Sequence, residues 1–431
     1  MKVAIVHDWL YTLGGAEKVL AGMFRCFPRA HLFCLFDFLS KEERARIGYG
    51  SRTVSFLQKL PGVRRHHRLF LPIMPLAVEQ LDLSGYDVVI SSSYAVAKGV
   101  LTGPDQLHLS YVHSPMRYAW DLQHQYLRES GLEHGARGML TRLLLHRIRI
   151  WDARTASGPD AYMVNSRFIA RRVRKIYGRE AQVIHPPVKV ADTFQPTVKG
   201  RYFMTASRLV PYKNIRSVIE AFRDHPNERL VVVGEGPEGE KLRALAGPNV
   251  TFTGFVSDDD LRRTMARARA FIFAAEEDFG IVPVEAQSEG TPVLALGRGG
   301  ARETVRVDGD EATGLFFDRP DAHSIAAAIT AFIASENRFD PQACHRNALR
   351  FSEAMFEQAF HGFVTDQYAA FSRRLGWQSR EIRLSRPLPA PHGEIGIGID
   401  VAATAAAGGR PAPDGVLHKA NRPDALLANP L

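Results

Sequence analysis

Two glutamates, Glu277 and Glu285, stand eight residues apart in the run Glu276-Glu277-Asp278-Phe279-Gly280-Ile281-Val282-Pro283-Val284-Glu285. Carboxylates accept hydrogen bonds from sugar hydroxyls, so one can hold a hexose and the other a ribose. Phe271–Ala274 just before them has strand character, and Pro283 suits the first turn of a helix. Glu277 is therefore expected on a strand-to-helix loop and Glu285 near the helix start, both facing one crevice. Acids favoured by the positive end of a helix give the same residues, and spacing alone leaves both readings open.

A second candidate is Ser207-Arg208-Leu209-Val210-Pro211-Tyr212-Lys213-Asn214, which follows the strand candidate Tyr202–Ala206. In open α/β sheets ligands bind beyond the carboxyl ends of strands. Arg208 can take a diphosphate bidentately and Lys213 adds a point charge, so together they can stabilise a departing diphosphate. Two solvated cations on a loop are the plainer alternative. Near the N-terminus, Gly14-Gly15-Ala16-Glu17 lies between the first strand and the first helix. Paired glycines there let backbone N–H groups approach a phosphate at a helix start, or simply turn the chain. The motif is not G-x-G-x-x-G, so a dinucleotide fingerprint is absent. His113, in Ser110-Tyr111-Val112-His113-Ser114-Pro115-Met116-Arg117-Tyr118, reads by itself as a satisfied structural histidine.

The elements that must position these residues alternate in type. Strand candidates in the first half are Val3–His7, Leu32–Phe36, Tyr86–Ser91, Leu107–His113, Ala161–Asn165 and Gln182–His185. Glu17–Phe27 carries Val19, Leu20, Met23, Phe24 and Phe27 on one helical stripe. A Pro-bearing stretch, His185–Thr197, breaks the pattern as a linker. The rhythm restarts at Tyr202–Ala206 and continues through Leu230–Val233, Val250–Thr253, Phe271–Ala274, Pro292–Leu296 and Gly314–Phe317. Ile215, Val218, Ile219 and Phe222 mark a helix between the first two of these. Strands separated by helices argue parallel sheets, so the expected class is α/β, with two doubly wound domains facing across a cleft. The expected division is 1–190 for the first domain and 198–352 for the second. Residues 353–380 would hold a helix returning to the first domain, and 386–431 a disordered tail rich in Pro, Ala and Gly.

Composition sets outer limits. At 431 residues the chain is too long for one ordinary core. No apolar run reaches about 18 residues, so no transmembrane helix is expected. The opening Met-Lys-Val-Ala-Ile-Val-His-Asp-Trp turns polar too soon for a signal peptide. Cys26, Cys34 and Cys344 lack C-x-x-C spacing, which suits a reducing cytoplasm and neither a structural zinc nor a disulfide framework. A formal charge of +9 implies an anionic partner: nucleic acid, acidic lipid or a phosphorylated substrate. Arg52, Lys59, Arg64, Arg65 and Arg68 sit among Phe56, Leu57, Leu60, Leu69, Phe70, Leu71, Ile73 and Met74. Arg137, Arg142, Arg147 and Arg149 likewise sit among Leu140, Leu143, Leu144, Leu145 and Ile148. Such mixtures suit an anionic bilayer surface, or a basic outer face over ordinary core residues. No basic recognition helix or aromatic sheet motif supports nucleic acid.

Taken in order, these segments resemble glycosyltransferase family 4. The run from Glu276 to Val305 resembles that family's E-x₇-E segment with its Gly-Thr-Pro-Val strand and Gly-Gly loop. Thr205–Phe222 is similar to its Arg…Lys diphosphate motif, Val231–Leu242 to its next strand and turn, and Val164–Val173 to the end of its N-terminal domain. The likeness is ordered and dense over 201–305 and looser from residue 1 to 188. It implies a GT-B fold of two Rossmann-like domains. By matching position it implies that Gly14 and Gly15 approach the donor diphosphate and that Arg208 and Lys213 bind it. Glu277 would hold sugar hydroxyls with backbone groups of Phe279, Gly280 and Ile281 nearby, and Glu285 would bond the ribose. Phe255, Val256 and Ser257 would frame the base, and His113 would lie close to the transferred sugar, with His7 and Asp8 near the same cleft. The implied catalytic set is His113, Arg208, Lys213 and Glu277.

The resemblance also implies retention of anomeric configuration. With no double-displacement nucleophile in view, a front-face route is expected, in which the leaving diphosphate helps deprotonate the acceptor. No Asp-x-Asp motif stands where a metal-dependent GT-A enzyme needs one, so no cofactor beyond the nucleotide sugar and no essential metal are expected. Tyr111–Leu122 resembles a subgroup holding bacterial mannosyltransferases of exopolysaccharide and lipopolysaccharide assembly, which use GDP-mannose and polyprenyl-diphosphate-linked acceptors. The expected protein is a cytoplasmic enzyme on the anionic inner face of the plasma membrane. UDP-sugars, a phosphorylase or epimerase of the same fold, and a non-catalytic nucleotide-sugar-binding scaffold are the other readings.

Overall fold

β1 (Val3–His7) is buried at every position, as a parallel strand covered on both faces must be. In the computed structural model, which describes residues 1–376, it is an interior strand of a seven-stranded parallel sheet. Its partners are β2 (His31–Cys34), β3 (Arg52–Val54), β4 (Val88–Ser93), β5 (Leu107–Val112), β6 (Ala161–Val164) and β7 (Gln182–Val183). The order is β3-β2-β1-β4-β5-β6-β7. A second sheet is built from β8 (Tyr202–Ala206), β9 (Arg229–Val233), β10 (Val250–Gly254), β11 (Phe271–Phe273), β12 (Val293–Leu296) and β13 (Gly314–Phe317). Its order, β10-β9-β8-β11-β12-β13, repeats the winding of the first, and every pairing is parallel. These are the two Rossmann-like sheets of a GT-B architecture. Winding reverses between β1 and β4 and between β8 and β11, and at such switch points the strand-end loops open a crevice.

The periodic segments account for most of these elements, and β3 is the exception. Arg52–Val54 is exposed and basic, with no apolar run to mark it, and it becomes a strand only by pairing with β2 at the sheet edge.

Helix Glu353–Arg374 lies in the core of the first unit. Its Phe356, Phe360, Val364, Tyr368 and Phe371 are buried in one cluster with Val19, Met23, Phe24 and Phe27. Each such side chain contributes about 2 kcal/mol of gross transfer energy, enough to bring a segment far along the chain back across the molecule. A Cβ on Gly22 would stand 2.6 Å from the Phe356 ring, so that close approach needs a glycine. The crossing is pinned where the Val188 N–H donates to the Phe351 carbonyl at 2.9 Å. Around it Val188, Phe279, Val284, Ala348 and Phe351 form one apolar cluster joining linker and second unit. Residues 377–380 and the stretch 386–431 lie outside the described residues.

The two basic–apolar runs pack on one cluster of the first unit, where Leu57, Leu71, Met74 and Ile148 are buried. Not all their cations face solvent as a basic surface would. Arg52 pairs with the buried Asp37 carboxylate, and Arg149 donates to the Ala119 carbonyl. Arg64, Arg65, Arg137 and Arg147 do stay exposed, and so do Phe56, Leu69, Leu76, Met139, Leu140 and Leu143. Among the described residues no helix is long and apolar enough to cross a membrane.

Candidate functional site

Glu277 follows β11 by four residues and is held from two directions. Its side chain pairs with the Lys213 ammonium, and its carbonyl accepts the Gly300 N–H at 2.8 Å. Lys213 is itself fixed by its neighbour. Asn214 adopts a left-handed φ of 55° and donates from Nδ2 to the Ala274 carbonyl at 2.9 Å. An Asn tolerates that conformation better than most residues, and through it the loop after β8 is tied to the end of β11. Arg208 lies on the same loop and is exposed. Glu285 sits in helix Ile281–Ser288, and Phe279 is buried, stacked on His185 with 5.3 Å between ring centroids. Only the backbone of Phe279 can therefore face a ligand.

Residues of the first unit meet this set. A Cβ added to Gly15 would lie 3.1 Å from Ile281 Cδ1, so the glycine permits the helix starts at residues 15 and 281 to approach. Lys18 donates to Glu285 Oε1 at 2.5 Å. Arg117 pairs with Asp278 Oδ2, and Arg172 stands 3.6 Å from Asp278 Oδ1. Glu303 of the second unit accepts the backbone N–H groups of Arg167 and Phe168, at 2.8 and 3.0 Å. Arg117, Arg172, Lys18 and Asp278 were not singled out by motif, because their partners lie too far along the chain to be seen there.

His113 directly follows β5, buried, with Nε2 2.8 Å from Ser92 Oγ, and its carbonyl accepts from Asn165 Nδ2 at 2.8 Å. Burial and nearby His7 hold its imidazolium down to about 3, so it is neutral at any ordinary pH. Asp8 directly follows β1 and has internal partners. Its carboxylate is buried and fully used, accepting the N–H groups of Tyr94, Ala95, Val96 and Ala97 at 2.6 to 2.9 Å. It shapes the loop after β4. Phe255 is 81% exposed, with its N–H 3.3 Å from Glu235 Oε1, while the Ser257 hydroxyl caps helix Asp258–Arg267.

Two cations complete the electrostatics. Burial, then the Arg208 charge, lowers Arg68 from its ordinary value, so Arg68 of the first unit lies within electrostatic reach of Arg208. It belongs to a basic run that reads as surface. Burial and Arg117 pull the Lys213 ammonium down to about 8. An anionic ligand at this ammonium would need the protonated amine, so its affinity would be full below that pH. Above pH 8 the dissociation constant of a nucleoside diphosphate held there is expected to rise by up to about tenfold per unit, read by calorimetric titration between pH 7 and 9.5. A flat profile over that range rules Lys213 out as a titrating phosphate ligand. Among the described residues no group of three or more His, Cys, Asp or Glu is placed to hold a metal ion.

Residues 13–192 match the family model "Glycosyltransferase Family 4", and residues 192–350 match "Glycosyl transferases group 1". The chain is similar to the family 4 glycosyltransferases over residues 13–350. The join between the two matches falls in the connection between β7 and β8. A GDP-mannose-dependent alpha-(1-6)-phosphatidylinositol monomannoside mannosyltransferase of Mycobacterium tuberculosis is 31% identical over 216 residues, covering 43% of this chain and 55% of that protein. Its Mycolicibacterium smegmatis counterpart is 33% identical over 222 residues, covering 43% and 57%. The chain thus spans little more than half the length of these relatives. Anabaena HepE, solved with UDP and glucose, superposes with a TM-score of 0.61 at 18% identity, covering 85% of this chain and 99% of that one. Sucrose-phosphate synthase of Thermosynechococcus elongatus gives 0.63 at 17%, covering 86% and 100%. At such identity these two speak for the fold.

Proposed function

We propose that this chain is a retaining hexosyltransferase that moves mannose from GDP-mannose to a polyprenyl-diphosphate-linked oligosaccharide. The observation that carries the reading is the convergence of Arg208, Lys213, Glu277 and Glu285 on strand-end loops and a helix start, opposite Gly15. Arg208, Lys213 and the N–H groups at Gly14 and Gly15 take the diphosphate, and Glu285 takes the ribose. Glu277 takes sugar hydroxyls with the backbone of Phe279, Gly280 and Ile281, Phe255 and Val256 border the base, and His113 borders the sugar. On donor arrival Lys213 exchanges Glu277 for phosphate oxygen, and the freed carboxylate accepts from the sugar.

The bond from C1 to the diphosphate oxygen breaks while the acceptor oxygen bonds C1 from the same face. The acceptor proton passes to the leaving diphosphate, whose charge the cations stabilise. No metal ion is required by this route. GDP-mannose is favoured because the mycobacterial relatives are named for it, and their named acceptor is a lipid. The exposed Arg64, Arg65, Arg137 and Arg147 beside Leu69, Met139, Leu140 and Leu143 suit an anionic membrane surface, where a lipid-linked acceptor resides. The cytoplasmic face of the plasma membrane is the site this implies, with no role for nucleic acid.

The test is transfer by the full chain from GDP-mannose to polyprenyl-diphosphate-linked oligosaccharide in anionic vesicles, with excess chelator present. Transfer with an α-linked product is expected. Abolished transfer restored by magnesium or manganese overturns the metal-free route, and transfer from UDP-sugars alone overturns the donor.

A further inference from the structure

Four polar groups of the first unit form a line from the glycine loop to His113. The Gly14 N–H donates to Glu17 Oε2 at 2.8 Å, and Glu17 Oε1 lies 3.6 Å from His7 Nε2. His7 Nδ1 is 3.0 Å from Ser92 Oγ, which is 2.8 Å from His113 Nε2. His7 is 1% exposed and Ser92 0%, so these groups answer to one another rather than to bulk water.

The direction of the protons follows from one end. A carboxylate only accepts, so a neutral His7 turns Nε2–H toward Glu17. At 3.6 Å this is a charge–dipole contact rather than a full hydrogen bond, but the buried charge still decides which ring nitrogen is protonated. His7 Nδ1 then holds a lone pair and takes the Ser92 hydroxyl hydrogen. With that hydrogen committed, Ser92 Oγ accepts from His113 Nε2–H, which leaves His113 Nδ1 unprotonated. We propose that Glu17, acting through His7 and Ser92, fixes His113 as the Nε2–H tautomer, so that His113 meets the bound sugar as a hydrogen-bond acceptor. The second half rests on the reading that His113 borders the donor sugar. Glu17, His7 and Ser92 are positioning residues in this scheme. The rings of Tyr94 and Tyr111 pack on His113 at 6.1 and 5.1 Å between centroids and enclose it. His113 also stays neutral across the working range, as a single tautomer requires.

Glu17→Gln tests the direction with little change of shape. The Gly14 N–H keeps the amide oxygen of the new side chain, so its NH₂ faces His7 Nε2. His7 must then carry its proton on Nδ1, Ser92 donates to His113 Nε2, and the His113 proton moves to Nδ1. Histidine-selective ¹⁵N NMR of the ligand-free full chain, with His113 assigned by its loss in His113→Asn, reads the tautomer directly. The expected result is Nε2–H in the native sequence and Nδ1–H in Glu17→Gln. A native His113 protonated on Nδ1, as a charged His7 would impose, overturns the proposal, and so does a ring pattern unchanged by Glu17→Gln.

Should Glu17→Gln not fold, Ser92→Ala cuts the same line and is expected to abolish the single-tautomer signature. Ser92→Thr, which keeps the hydroxyl, is expected to restore it. In transfer assays Glu17→Gln is expected to lower kcat about tenfold or more while the GDP dissociation constant stays within about twofold. The NMR result does not depend on the enzyme assignment. A flipped tautomer with unchanged kcat therefore overturns only the role of His113 beside the sugar.

Discussion

Lys213→Ala lowers kcat for transfer about 10²–10³-fold, the loss typical of removing one preorganised donor from a site where charge develops. The ammonium is held in place before any ligand arrives. Its side chain is 14% exposed and paired with Glu277, and its loop is anchored through Asn214 to the end of β11. It costs little reorganisation when the diphosphate departs. The variant also leaves the Glu277 carboxylate without its cation. Lys213→Arg is not expected to recover the rate, because a planar fork cannot occupy the place of a compact ammonium. Arg208→Ala is expected to be milder, about tenfold, since Arg208 is exposed and Arg68 lies within electrostatic reach of it. The double variant Arg68→Ala with Arg208→Ala should then lose more than the product of the two single effects. Steady-state kcat and KM for GDP-mannose separate these cases. A Lys213→Ala enzyme within threefold of the native kcat removes Lys213 from the leaving-group role.

Gly300→Ala weakens donor binding at least a hundredfold through backbone geometry alone. A Cβ there would stand 2.5 Å from the Phe279 carbonyl oxygen and 2.7 Å from that of Asp278. Both obstacles are main chain, which cannot rotate away as a side-chain tip can. Gly299 beside it has a left-handed φ of 62°, and the Gly300 N–H holds the Glu277 carbonyl. Relief of the clash must push the Glu277–Phe279 segment away from Lys213 and from the start of helix Ile281–Ser288. The expected outcome is at least a hundredfold weaker GDP-mannose binding, with roughly 3 kcal/mol lost from the second unit. Ligand titration and urea unfolding followed separately check the two parts. Native-like affinity in Gly300→Ala contradicts the loop's role as the support of Glu277.

Much of this was legible in the sequence because its signals are local. Strand-end loops follow from where apolar runs stop, so Arg208, Lys213, Glu277 and the Gly14–Gly15 turn could be placed one at a time. A helix is expected within 353–380, and helix Glu353–Arg374 lies inside that range. What could not be read was which residues face each other. Arg117 and Asp278 are 161 residues apart, and only the closed arrangement of the two sheets makes them partners. Arg68 looks like any member of a basic run until the fold turns it toward Arg208. Asp8, expected near the cleft, has its carboxylate engaged by four N–H groups after β4, partners no motif marks. β3 left no pattern because an exposed edge strand needs no buried face. Charge runs were the poorest guide, since Arg52 and Arg149 serve internal partners while Arg64 and Arg137 do not.

The most direct measurement is calorimetric titration of GDP and GDP-mannose into the native chain and into Glu277→Ala. If Glu277 holds the sugar while Arg208 and Lys213 hold the diphosphate, the native chain binds GDP-mannose more tightly than GDP. Glu277→Ala then binds GDP at least as well as the native chain and loses the extra affinity for the sugar. An unchanged sugar increment in Glu277→Ala, or no binding of either ligand to the native chain, contradicts that placement of the donor.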